Sequence, residues 1–235
     1  MADYTLTELM AVTAAREIRD GEVVFAGTGL PMLGAMLAQR THAPRCCIVF
    51  EAGTAASQLA HLPMSVGDAR AMPGAAMAAG LMEVFTYVLQ AGRVDVGFLS
   101  GAQIDRFGNI NSTSIGLDPV HPQVRFSGSG GACDIACLAK RTVLIALHEK
   151  RRFPEKIDYI TSPGWVEGGD SRQKSGLIRR AKRGSDDPGG AALPARHQRD
   201  VPGQLPSGPH RPGRRRRHRI CPGHRGGDRD AGSHA

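Results

Sequence analysis

Metal-ligand spacing, paired thiols and a nucleotide-loop lysine are all missing from this 235-residue chain. Its five cysteines (Cys46, Cys47, Cys133, Cys137 and Cys221) are odd in number and form no CxxC pair. That argues against a zinc site or a disulfide framework and fits reduced thiols in a cytoplasmic protein. There is no stretch of 18 apolar residues, so nothing reads as a membrane-spanning helix. The first residues, MADYTLTELM, have neither a basic n-region nor an apolar run, so no secretory peptide is expected. Gly27, Gly29 and Gly34 give GxGxxxxG, which misses the dinucleotide fingerprint GxGxxG, and no Walker lysine follows. No cofactor and no metal are expected. Spacing pairs none of His42, His61, His121 and His148 with a serine or cysteine nucleophile.

The residues present are 41% hydrophobic, too many for a disordered chain. The formal charge of +8 suggests nucleic acid until it is divided along the chain. Residues 1–177 hold 16 basic and 17 acidic side chains, net −1, and residues 178–235 hold 14 and 5, net +9. Two parts follow: a neutral domain over 1–177 and an Arg/Pro/Gly-rich, low-complexity tail over 178–235, which with that composition cannot build a core and is expected to be disordered.

Within the neutral part, two kinds of segment alternate. Thr5 and Glu8 are spaced as a capping box that opens a helix to about Asp20. Glu22–Ala26 is a short apolar strand, and Pro31 suits the first turn of a helix to about Arg40. Cys46–Phe50, Val94–Leu99 and Arg141–Leu147 read as further strands, and Leu81–Gln90 as a helix. Short apolar strands separated by helices predict an α/β fold with an open, mostly parallel sheet flanked by helices. In such sheets ligands bind beyond the carboxyl ends of the strands. Gly-bearing turns stand there at 27–29, 51–53 and 100–103, with another in the loop at 127–131.

Glu51 directly follows the strand CCIVF. A charged side chain at the mouth of a parallel sheet is costly unless it is solvated or used. It is either a solvated or helix-capping glutamate, or an attacking carboxylate. A glutamate is ionised at neutral pH and needs no adjacent base to attack. The small residues Ala52, Gly53 and Thr54 leave space for a bulky acyl donor. Cys46 and Cys47, inside the strand, read as buried thiols.

Several segments occur in a telling order: Gly27-Thr28-Gly29-Leu30-Pro31, Glu51-Ala52-Gly53, Gly101-Ala102-Gln103-Ile104-Asp105 and Phe107-Gly108-Asn109-Ile110-Asn111. Gly130-Gly131-Ala132-Cys133-Asp134 and the loop from Gly164-Trp165 to Ser171-Arg172 follow. On these the chain resembles the β subunit of family I CoA-transferases, most closely the glutaconate CoA-transferase type, over roughly residues 5–177. The resemblance implies a CoA-transferase/NagB-like fold, coenzyme A as a substrate, and a separate α subunit in an α2β2-type hetero-oligomer. It implies that Glu51 attacks an acyl-CoA, with ping-pong transfer through an acyl-glutamyl anhydride and a glutamyl-CoA thioester. It places oxyanion binding on Gly130 and Gly131, with Asn109 as a side-chain donor. Gly27 and Gly29 read as contacts to the acyl or CoA portion, and Gly53 as a substrate-binding position that leaves room beside Glu51. Asn109 and Asn111 also read as a turn-stabilising pair, and Gly27 and Gly29 as a tight turn. Glutaconate-like, 3-oxoacid, and aromatic or branched acids all fit. Relatives that lack the glutamate look like acyl-CoA decarboxylases or ring-opening hydrolases, so Glu51 favours transfer.

The tail offers a rival reading as a nucleic-acid binder through Arg214–Arg217, against which stands its lack of Phe, Tyr and Trp for base stacking. Its composition is also what GC-rich DNA yields out of frame. Reading the degenerate codons of Val201–Gly208 one base later permits YLASYHPG, and His218–Cys221 permits Thr-Gly-Phe-Ala, both similar to C-terminal segments of the family. The expectation is a frame lost around 178–183, which leaves the domain C-terminally incomplete.

Overall fold

The structure, a computed structural model, describes residues 4–116, 118, 120–177 and the backbone of 192–194. The expected boundary after 177, and the frame and nucleic-acid readings of 178–235, concern residues outside that set.

Thr5 opens helix α1 (Leu6–Arg16) with the predicted capping box: its hydroxyl accepts from Glu8 N, and Glu8 returns a carboxylate to the Thr5 amide. The helix ends at Arg16, short of the expected Asp20. Ile18 must turn into the core, where it is 1% exposed, and Gly21 (φ 82°) reverses the chain into the sheet. Strand β1 (Val23–Phe25) leads through Gly27 to helix α2 (Leu30–Arg40), which has Pro31 in its first turn. Then come β2 (Cys47–Val49), β3 (Thr54–Ala55), β4 (Met77–Ala78), and helix α3 (Leu81–Glu83), which continues as a π-helix through Val84–Gln90. β5 (Val96–Leu99) precedes two small antiparallel pairs, β6 (Gln103–Ile104) with β7 (Ile110–Asn111), and β8 (Ser114–Ile115) with β9 (Val124–Arg125). Helix α4 (Ala132–Leu138), β10 (Arg141–Ala146) and helix α5 (Ser171–Lys174) complete the order, with β11 at Ala192–Pro194.

The main sheet runs β11-β10-β5-β1-β2-β3-β4. The pairs from β11 to β2 are parallel, and β3 and β4 add antiparallel. The expected open, mostly parallel sheet is what forms. The expectation of a tail without order meets one described stretch, the β11 backbone, which pairs with the otherwise open edge of β10.

Period-2 alternation sorts the strands onto two cores. Val24, Ile48, Val96, Phe98, Val143 and Ile145 face α1 and α2. Phe25, Cys47, Val49, Leu99, Leu144 and Ala146 face the π-helical segment and α4. Two glycines set the spacing of the layers. A Cβ on Gly34 would stand 2.8 Å from the Ala14 methyl, so it lets α1 and α2 approach closely. A Cβ on Gly97 would strike the Ile135 side chain, so α4 lies directly on β5. The carboxyl ends of β1, β2 and β5 share one edge of the sheet, which places Gly27, Glu51 and Gly101 together there.

Candidate active site

Glu51 occupies the tip of a tight β2–β3 hairpin, not the start of a helix. Phe50 N donates to Thr54 O (2.9 Å), Gly53 N to Phe50 O (3.1 Å), and Val49 pairs with Ala55. The turn is clamped from above, because Ala79 N donates to Gly53 O at 3.1 Å. Gly53 has φ 122°, and a Cβ there would overlap the Ala79 carbonyl. No other residue fits, for reasons of backbone and space together. Its amide and carbonyl are both consumed by the hairpin, so Gly53 positions Glu51 and offers no donor to a ligand. Glu51 itself is half-buried and Ala52 beside it is exposed.

The structure brings Glu51 to the Gly130-Gly131 turn at the start of α4. The position a Cβ of Gly131 would take lies 3.2 Å from Glu51 Oε1, and on its other side it would strike the ring of Phe85. Phe85 belongs to the π-helical segment and stacks edge-on against Phe25 at 5.7 Å. The carboxylate therefore has the Phe85 ring nearby, itself backed by Phe25, and a bare glycine backbone against it. Among the described residues neither the Gly130 nor the Gly131 amide has a hydrogen-bond acceptor. Gly27 and Gly29, at the end of β1, face open space: nothing lies within 4 Å of a Cβ at either. Gly29 caps α2 with φ 81°, so its lack of a side chain answers a backbone need, whereas no packing requires one at Gly27.

Asn109 does not join this group as a donor. It is 1% exposed, and its Nδ2 donates to Asp105 Oδ2 (2.8 Å) and Val166 O (2.7 Å). Its Oδ1 accepts from Gly164 N (2.8 Å) and Val166 N (3.0 Å). Asn111 is likewise spent on the framework, on Gln103 Oε1 across the β6–β7 pair and on Ser114 O and Thr113 N in the turn that follows. The turn-stabilising alternative describes both residues.

Two contributors lie beyond sequence reasoning. Phe85 sits in a segment legible as a helix, but its π geometry, which occurs often at functional sites, leaves no mark in the residue pattern. Arg172 is visible in the sequence only as a charge closing a Gly-rich loop. It is 1% exposed, with Nη1 donating to Pro163 O (3.0 Å) and Gly164 O (2.5 Å), and Nη2 to Ala136 O (2.8 Å). Burial lowers its pKa, opposed by the nearby Cys137. Cys137 is pushed up to about 11, first by burial and then by the Cys133 thiol one turn away. Cys46 is also pushed up to about 11, by burial and then by the Asp20 carboxylate. Cys46 and Cys47 are both buried. Among the described residues no cluster of three or more His, Cys, Asp or Glu side chains could hold a metal, and no helix is long and apolar enough to cross a membrane.

Known proteins are similar to this chain in sequence and in fold. The sequence profile of the family described as coenzyme A transferase matches residues 7–183. One of the subunits of glutaconate CoA-transferase from Acidaminococcus fermentans is 46% identical over 187 residues, 75% of this chain and 68% of the relative. The crystal structure of that organism's glutaconate coenzyme A-transferase superposes with a TM-score of 0.70 at 45% identity, covering 74% of this chain and 68% of the other. The corresponding subunit of 3-oxoadipate CoA-transferase from Pseudomonas knackmussii is 45% identical over 177 residues, again 75% and 68% of the two chains. A decarboxylase, AibA/AibB, superposes with a TM-score of 0.64 at 27% identity over 71% of this chain and 69% of its own.

Proposed function

The chain belongs to the coenzyme A transferase family, and from that premise we propose that its Glu51 carries CoA between an acyl-CoA thioester and a free carboxylic acid. The observation that carries the reading is the Glu51 carboxylate held on a rigid turn against Gly131, whose amide and that of Gly130 have no acceptor among the described residues. A Glu51 oxygen attacks the thioester carbonyl, and the developing oxyanion is met by the Gly130 and Gly131 N–H groups. One such donor is worth about 3–4 kcal/mol. The CoA thiolate leaves, giving an acyl-glutamyl anhydride. It then attacks the glutamyl carbonyl and expels the donor acid, leaving Glu51 as a CoA thioester. The acceptor carboxylate attacks that thioester, a second anhydride forms, and the thiolate attacks its acyl carbonyl. New acyl-CoA departs and Glu51 is regenerated, which is ping-pong turnover. Phe85, held edge-on by Phe25, limits the water beside the carboxylate and so protects both the anhydride and the thioester from hydrolysis. The open space at Gly27 and Gly29 admits the substrate.

Both of the CoA-transferase relatives are named as single subunits of their enzymes, which implies a partner subunit here. An α2β2 assembly is the arrangement proposed. The free cysteines fit the reducing cytoplasm. No cofactor takes part in the scheme, since CoA enters and leaves as a substrate. Glutaconate and 3-oxoadipate, the acids named for the relatives, are the first substrates to try. Glu51→Gln, assembled with the partner subunit and assayed with glutaconyl-CoA or 3-oxoadipyl-CoA and an acceptor acid, is expected to lose on the order of 10³-fold or more in kcat. Turnover at the wild-type rate overturns the assignment.

A further inference from the structure

We infer that Arg172 is a positioning residue for the transfer reaction: it ties helix α4 to the 163–164 loop and so holds Gly131 against Glu51. The inference rests on the roles just proposed for Glu51 and Gly131. A guanidinium 1% exposed is retained only where fixed acceptors replace its water, and here they are backbone carbonyls of two separate segments. Its planar fork holds both segments in one geometry, which a lysine ammonium cannot do. Ala136 lies in the last turn of α4, where helix carbonyls lack internal partners and attract positive charge.

The other end of the strut is equally fixed. Gly164 lies so close on Phe107 and Gly108 that a Cβ there would overlap their backbone. The Asn109 amide takes Gly164 N and Val166 N, and Asp105 Oδ1 in turn takes Phe107 N (2.9 Å) and Asn109 N (3.0 Å). A continuous hydrogen-bonded path thus runs from Asp105 through Asn109, the 163–166 loop and Arg172 to Ala136. Helix α4 rests on β5 at Gly97 and meets Phe85 at Gly131, and Arg172 adds a third hold at Ala136. Gly131 caps the helix that contains Ala136, five residues or about 7.5 Å along it, so a rigid-body displacement of α4 at Ala136 also moves Gly131. A shift of about 1 Å at a reacting centre costs about 10²-fold in rate.

The test uses Arg172→Lys and Asn109→Ser, each assembled with the partner subunit and run beside Glu51→Gln. Arg172→Lys keeps the charge and loses the fork, while Asn109→Ser cuts the other end of the path. Each variant complex is expected to lose ten- to a hundredfold in kcat with KM for the acyl-CoA within about threefold, and to melt at a lower temperature than wild type while still assembling at the assay temperature, because buried hydrogen-bond partners are left unsatisfied. A well-assembled variant of either kind with wild-type kcat overturns the inference. So does failure of both to assemble, or a loss of activity that follows the fraction assembled, because Arg172 is then a folding residue. If Glu51→Gln keeps its activity, it is the nucleophile reading that fails. If Glu51→Gln is inactive and Arg172→Lys is wild type, only the positioning inference falls.

Discussion

A carboxylate becomes a useful nucleophile when its neighbours fix where it points and limit the water around it. Glu51 meets both conditions through residues that contribute little chemistry of their own. Gly131 contributes by lacking a side chain. Gly131→Ala adds a methyl 3.2 Å from Glu51 Oε1 and drives Phe85 from its contact with Phe25. Its φ of −80° suits alanine, so the chain still folds, at a cost of about 1–3 kcal/mol for overpacking. Steady-state kinetics of the assembled complex are expected to show kcat reduced by about 10–10²-fold. Cys46 provides a residue-scale test that is independent of catalysis. Its thiol titrates at about 11 in the folded chain, against an ordinary value of 9.0. Above pH 9 the unfolded thiol ionises while the folded one keeps its proton. Stability that is full below pH 9 therefore falls between pH 9 and 11, by on the order of 2 kcal/mol. Denaturant melts across that window are expected to show a shallower fall for Cys46→Ala than for wild type, and equal slopes would contradict the assigned burial.

Among the elements, the β2–β3 hairpin matters most, because it makes the site a feature of the sheet and not of a mobile loop. Its tip is held by Phe50, Gly53 and Thr54, and Ala79 closes over it on the way out of β4. Gly53→Ala is strained both by its φ of 122° and by overlap with the Ala79 carbonyl. A loss of about 2–4 kcal/mol in stability, read by denaturant unfolding, is expected together with loss of turnover, because the turn that opens to admit the methyl also releases Glu51. The same scale shows what is legible in a sequence. Thr5 with Glu8, Pro31, and the apolar runs ending at Phe25, Val49, Leu99 and Ala146 announce their elements, since caps and buried strands depend on nearby residues. The antiparallel turn after Glu51 and the π-helical geometry of Val84–Gln90 do not, because both are imposed by packing between distant segments.

For the molecule as a whole, the charge that first suggests nucleic acid separates from the chemistry. The neutral part of the chain carries every strand of the main sheet but β11, with Glu51 and Gly131, and the family match spans residues 7–183. Glu51 and the Gly130-Gly131 turn could be picked out from composition, strand ends and family likeness. That they meet is a property of the fold: β2 and α4 are separated by some 80 residues and converge only because β5 brings α4 to the same edge of the sheet. Asn109 shows the converse: the family resemblance offers it as a donor, and its hydrogen bonds turn out to serve the framework. The central claim, that Glu51 accepts CoA covalently, is tested most directly by mass spectrometry of the assembled complex mixed with an acyl-CoA in the absence of acceptor acid. The account predicts that this chain gains the mass of one CoA less one water, that peptide mapping places it on Glu51, and that adding the acceptor acid removes it. A complex that turns over while Glu51 never carries CoA would contradict it.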